Sequence, residues 1–201
     1  EILIGLVGSE MCIRDRNKAV ALVTRINRFF GSTWMAESRR YPARKAGKEG
    51  KSHTANVIIT CTDNTRSRLD LWRFLKNCRN AALPDQATPF YWMDFGNAQF
   101  TGQVLIGTVR NRIVQPSSKE FITMPKMNVI TEEVSYSMIR DTDSGPSCSL
   151  AEALHRQDLF INSMLAQAGC EILWKMIREG RTPYRGAYLN METLRITPIP
   201  V

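Results

Sequence analysis

The stretch ANVIITCTDNTRSRLDLW, residues 55–72, holds two periodicities with a polar break between them. Residues 56–61, NVIITC, form a β-branched run without alternation, the pattern of a strand buried on both faces, as in a parallel sheet. Thr62, Asp63 and Asn64 interrupt it. Over residues 66–80 apolar positions return at helical spacing, with Leu71, Leu75 and Cys78 on one side and Leu69 and Trp72 beside them. A strand that passes into a helix through a polar corner is the start of an α/β unit.

Upstream, residues 17–30, NKAVALVTRINRFF, predict a helix. Ala19, Leu22, Val23, Ile26 and Phe30 make one apolar stripe, Asn17 is placed to cap it, and Gly31 is a stop signal. Residues 40–54 are polar and basic and read as a loop. Downstream, residues 90–95, FYWMDF, and 102–109, GQVLIGTV, predict two neighbouring strands in a hairpin-like arrangement. Residues 110–145 carry no sustained period and read as a long connection, a class that is usually functional or disordered. Residues 149–179 form the longest helical region, with a break near Asp158 and a stop at Gly180. The tail predicts two strands, residues 187–190 and 193–199. Together these predict an α/β fold, a Rossmann-like mixed sheet flanked by helices, with a long C-terminal helix and a β-hairpin.

The bulk composition allows one domain with a sizeable core. The chain has 201 residues, 43% hydrophobic and 23% charged, which is ordinary for a globular protein. No apolar run approaches the ~18–20 residues of a membrane span. The five cysteines are odd in number, widely spaced and without a CxxC pair, against a disulfide scaffold or a four-cysteine zinc site and in favour of a reducing, cytoplasmic setting. Net charge is +8, concentrated in residues 39–51. That run is either a solvated basic loop or an attractor of phosphate; no aromatic-interleaved platform accompanies it, so nucleic acid is not the favoured partner. Neither His53 nor His155 has a partner at metal-ligand spacing.

Several residues are candidates for a site. In parallel α/β sheets ligands gather beyond the carboxyl ends of the strands, where Asp63 and Asn64 fall. A carboxylate there can hold Mg²⁺ or a ribose hydroxyl, and Asp or Asn there can equally cap the following helix; the two roles are compatible. Arg66 and Arg68 sit in that helix's first turn, where the dipole disfavours cations, so each either points to water or meets a phosphate. Lys18 opens its own helix, as a solvent-facing lysine or a flexible point charge for phosphates. Cys148 precedes an amphipathic helix in SGPSCSLAEAL, as a passive cap or as a thiol with a stabilised thiolate. Cys61, Cys78 and Cys170 read as core.

Three fragments in order, NKAVALVTRIN, VIITCTDNTRSR and PSCSLAEALHRQDLFINSMLAQAGCEILWKMIREG, resemble the ThiF/MoeB/HesA-type adenylating enzymes, relatives of the ubiquitin-activating enzymes. YWMDFGN, GPSCSLAEAL and YLNMETLRITPIPV narrow the likeness to the ThiF-like family of the PRTRC plasmid-associated system. The resemblance covers residues 17–201 as one adenylation domain, with residues 110–147 as its crossover loop. Residues 1–16, EILIGLVGSEMCIRDR, resemble a non-native, adapter-like tail, so the expectation is an N-terminally truncated fold.

The resemblance implies that Lys18 contacts ATP phosphates, that Asp63 holds Mg²⁺ or the nucleotide, that Asn64 and Arg68 shape the same pocket, and that Cys148 is an acceptor thiol. It implies ATP and Mg²⁺ as cofactors, and as partner a ubiquitin-like or sulfur-carrier protein whose C-terminal carboxylate is adenylated, in a homodimeric enzyme. The family's glycine-rich loop, acidic ribose position and zinc-binding CxxC pairs have no counterpart in residues 17–201, which implies weak ATP binding by this chain. Two other readings stand beside it: a non-catalytic plasmid-maintenance platform and a nucleotide-binding Rossmann oxidoreductase.

Overall fold

The computed structural model describes residues 17–38, 41, 54–62, 64–79, 83–135 and 158–201. The chain divides into two compact units, Glu1–Ser52 and His53–Val201. In the first, helix α1 spans Lys18–Phe30. It begins where predicted: the Asn17 side chain accepts from the Ala19 amide at 3.0 Å. It ends at Gly31, whose φ of 65° is a left-handed stop that glycine adopts without a Cβ clash. Beyond the stop the Asn27 amide donates to the Trp34 carbonyl at 2.8 Å and accepts from the Trp34 amide at 3.0 Å, which holds the chain back against the helix end.

The second unit is α/β, as the patterning predicts. Its elements are β1 (Val57–Thr60), α2 (Thr65–Cys78), a 3₁₀ turn (Asp85–Ala87), β2 (Tyr91–Asn97), β3 (Thr101–Thr108), α3 (Ile130–Glu133), α4 (Ile161–Arg178), β4 (Tyr184–Asn190) and β5 (Arg195–Pro200). The five strands form one mixed sheet in chain order, β1-β2-β3-β4-β5. Only β1 and β2 run parallel, joined through the α2 crossover; β2 through β5 are antiparallel. The long C-terminal helix stands after the expected break near Asp158, and the β4–β5 hairpin stands as expected; residues 149–157 of the predicted helical region lie outside the described residues.

Alternation along β2 and β3 divides the core between two faces. On one, Ile58, Trp92 and Leu105 meet Leu71, Trp72 and Leu75 of α2, with Val129 and Ile130 at α3. The Trp72 and Trp92 rings stack there at 6.0 Å. On the other, Met93, Val104, Ile106, Ala187 and Leu189 meet Ile161, Leu165 and Ile172 of α4. That helix sits close to the sheet because a glycine lies at the contact on each side, Gly169 on α4 and Gly102 on β3. A Cβ on Gly169 would lie 2.3 Å from the Phe95 ring, and one on Gly102 would lie 2.5 Å from Leu165.

Three expectations need correction. β1 is not buried on both faces: Ile58 is, but Val57 and Ile59 are 36% and 51% exposed. The reason is the reach of α4, which packs on β2, β3 and β4. Cys61 and Cys170 are exposed rather than core; Cys61 continues the uncovered side of β1, and Cys170 lies outside the Leu165–Gly169–Ile172 stripe by which α4 is buried. The connection after β3 is irregular through residue 129, as expected, but its residues 127–133 are held to the sheet. Val129 and Ile130 are buried, the Thr108 amide donates to the Met127 carbonyl at 2.9 Å, and Arg185 pairs with Glu133 at 2.7 Å.

The two outer strands differ in chemistry. On β5, Pro198 and Pro200 remove two backbone donors. β1 reads VIIT, with no proline and no charge.

Candidate functional site at the carboxyl end of the parallel pair

The end of β1 and the first turn of α2 meet at one buried carboxylate, Asp94 of β2. Asp94 is 1% exposed. It lies in register with Thr60, because β1 and β2 are parallel and pair Ile58 with Trp92 and Thr60 with Asp94. The Thr60 hydroxyl donates to Asp94 Oδ1 at 2.6 Å, and Arg68 Nε donates to Oδ2 at 2.8 Å. Arg68 Nη2 donates to the Phe95 carbonyl at 2.9 Å. The Trp92 indole N–H donates to the Thr60 hydroxyl at 2.8 Å, which closes the network.

The same helix start is capped. Asn64, in extended backbone, accepts from the Ser67 amide at 2.8 Å. Beside it the Thr62 hydroxyl is buried without a hydrogen-bond partner among the described residues. The other such side-chain atoms among the described residues, Arg79 Nη2 and Thr131 Oγ1, belong instead to α2's far end and to α3.

Burial is the largest influence on Asp94 and raises its carboxyl above the usual range; Arg68 and the Thr60 hydrogen bond oppose it. The Cys61 thiol is also raised, by partial desolvation first and then by the Asp94 carboxylate, with Arg68 opposing. A thiol held protonated in this way is a poor nucleophile.

The predicted residues fall as follows. Asn64 is the helix cap. Arg68 lies 8% exposed on the buried stripe of α2, and its charge at the helix start is answered by Asp94 and a backbone carbonyl. Arg66 is exposed. Lys18 is the exposed first residue of α1, in the first unit. Asp63, Cys148, His53 and His155 lie outside the described residues. Among the described residues no group of three or more His, Cys, Asp or Glu side chains is placed to hold a metal, and no helix is long and apolar enough to cross a membrane.

Sequence reasoning missed Asp94, Thr60 and Trp92. An acid inside the apolar run YWMDF was the available signal, since a buried carboxylate needs a partner. Arg68 stands three, four and seven residues before Leu71, Trp72 and Leu75, the spacing of an inward-facing position. No protein-family model matches the chain, and no curated protein matches it.

Proposed function

We propose that the protein is an ATP-dependent adenylating enzyme of the ThiF type, acting on the C-terminal carboxylate of a ubiquitin-like or sulfur-carrier protein. In this reading Asp63 holds Mg²⁺ or the nucleotide, with Asn64 and the α2 start beside it and Lys18 supplying charge to the phosphates. The carboxylate attacks the α-phosphate, pyrophosphate leaves, and the Cys148 thiolate displaces AMP from the acyl-adenylate to give a thioester. Arg68, committed to Asp94, acts in this reading by shaping the pocket wall. A homodimer is part of the proposal.

The single observation that carries it is the Thr62 hydroxyl, buried and without a hydrogen-bond partner among the described residues, at the carboxyl end of a parallel strand and two residues before the cap of α2. A buried hydroxyl left unpaired costs about 1–3 kcal/mol, and a ligand oxygen at this position removes that cost. The chemistry there suits an oxygen-rich anion with its cation: a hydroxyl without a partner among the described residues, a helix N-terminus and an acidic neighbour in the chain.

The test is MgATP binding by calorimetry, together with ATP–pyrophosphate exchange in the presence of candidate carrier proteins. Weak binding is expected in the parent chain, lost in Asp63→Ala and Lys18→Ala and reduced in Thr62→Val. A thiol-sensitive carrier adduct absent in Cys148→Ser is expected wherever exchange occurs. Equal MgATP affinity in the parent, Asp63→Ala and Thr62→Val overturns the assignment.

A further inference from the structure

We propose that Asp94 is a positioning residue: its single carboxylate ties Thr60 at the end of β1 to Arg68 at the start of α2, and so sets where Asn64 and the Thr62 hydroxyl stand toward a ligand. The ligand's identity as MgATP rests on the adenylation reading; the positioning itself does not.

Asp94 is 34 residues from Thr60 and 26 from Arg68 along the chain, so no local turn couples these groups. Each carboxylate oxygen serves one of these two residues, at 2.6 Å and 2.8 Å. Arg68 cannot swing about its ion pair, because its other arm donates to the carbonyl of the next residue, Phe95. Thr60 is fixed from its far side by the Trp92 indole. Gly96 leaves room for this arrangement, since a Cβ there would lie 3.1 Å from Arg68 Nη2.

Stability alone does not account for such a network. A buried ion pair contributes little net stability compared with apolar residues of the same volume. What it supplies is directional: a leucine pair would fill the space without that tie. Between Thr60 and Arg68 lie the helix cap and the Thr62 hydroxyl, which has no partner among the described residues, so fixing those two residues pre-organises the groups a ligand would meet.

The test compares Asp94→Asn with Ile106→Val, a buried change on the opposite face of the sheet. Two signals are read by NMR: exchange of the Ser67 amide, which Asn64 caps, and the indole resonance of Trp92. Asp94→Asn is expected to raise Ser67 exchange roughly tenfold over the Ile106→Val protein at matched global stability, and to move the Trp92 indole signal. Added MgATP is expected to protect Ser67 and shift the Trp92 indole in the parent protein, and to do neither in Asp94→Asn. Equal Ser67 exchange in Asp94→Asn and Ile106→Val overturns the positioning role. If Asp94→Asn frees Ser67 while the parent protein ignores MgATP, the positioning stands and the adenylation reading falls. Should Asp94→Asn fail to fold, Thr60→Val removes one side of the tie alone. It is expected to shift the Trp92 indole and raise Ser67 exchange by a smaller factor, and unchanged Ser67 exchange there refutes the proposal.

Discussion

Gly169→Ala pits helix propensity against packing. Alanine in a helix interior is favoured over glycine by about 1 kcal/mol. At Gly169, however, the new Cβ would stand 2.3 Å from Phe95 Cζ, 2.5 Å from Cε1 and 3.2 Å from Val104 Cγ2. Carbon pairs rest at about 3.5–4.0 Å, so helix and ring must part by more than an ångström. Leu165 over Gly102 pins the same helix one turn earlier and resists that lift. Overpacking of this kind costs about 1–3 kcal/mol, so after the propensity gain the net loss is about 0–2 kcal/mol, or a Tm fall of up to about 8 °C. The informative experiment is a cycle with Phe95→Leu, followed by urea unfolding with tryptophan fluorescence. Once the ring is gone the clash goes with it, and Gly169→Ala should turn neutral or stabilising by up to about 1 kcal/mol. A stabilising Gly169→Ala in the parent, or strict additivity with Phe95→Leu, refutes the close packing of α4 on β2.

Other expectations concern the corner after β1. Arg68→Met strands the Asp94 carboxylate in the core and should cost about 3–5 kcal/mol at pH 7.5, a loss that Arg68→Met/Asp94→Leu largely recovers. Because the folded pKa of Asp94 is raised above its ordinary 3.8, the folded state holds the proton more tightly than the unfolded chain. The stability linked to that proton is therefore full below the unfolded value and lost as pH rises through the folded one. Removing Arg68 takes away a lowering influence and extends that window upward, so the Arg68→Met deficit should shrink on acidification, by no more than about 1.4 kcal/mol per pH unit. Urea melts from pH 5 to 8 check this, and a pH-independent deficit contradicts it. Asn64→Ala should cost about 1 kcal/mol through the lost cap on the Ser67 amide, and an unchanged melt would show that the cap contributes nothing. Gly31→Ala should shorten α1 at its C-terminal end at a local cost of roughly 1 kcal/mol, because its φ of 65° is strained for any Cβ-bearing residue; unchanged helicity by circular dichroism counts against it.

Much of the second unit was legible because its elements obey local rules. β1, α2, β2 and β3 fall within a residue or two of their apolar runs, and α1 begins and ends on the cap and stop that its sequence carries. The errors have a common cause. Whether a strand is covered depends on where a helix from far along the chain comes to rest, and Val57, Ile59 and Cys61 carry no trace of how far α4 reaches. The burial of Val129 and Ile130 likewise arises from contacts across the sheet rather than from any period in residues 110–135. Of the candidate site, the Asn64 cap was readable from residue type and spacing. The partner of Arg68 was not, since nothing in residues 55–72 points to an acid on a strand 26 residues away.

The unequal borders of the sheet limit how copies of this chain can aggregate. Among the described residues, the sheet edge without proline is VIIT, only four residues long, and with one side already paired to β2 it offers a partner the outward groups of alternate residues. Two molecules meeting there would turn their proline-bearing rims outward, where a third finds gaps in the donor row. Association by this route should halt at pairs rather than run on into fibrils.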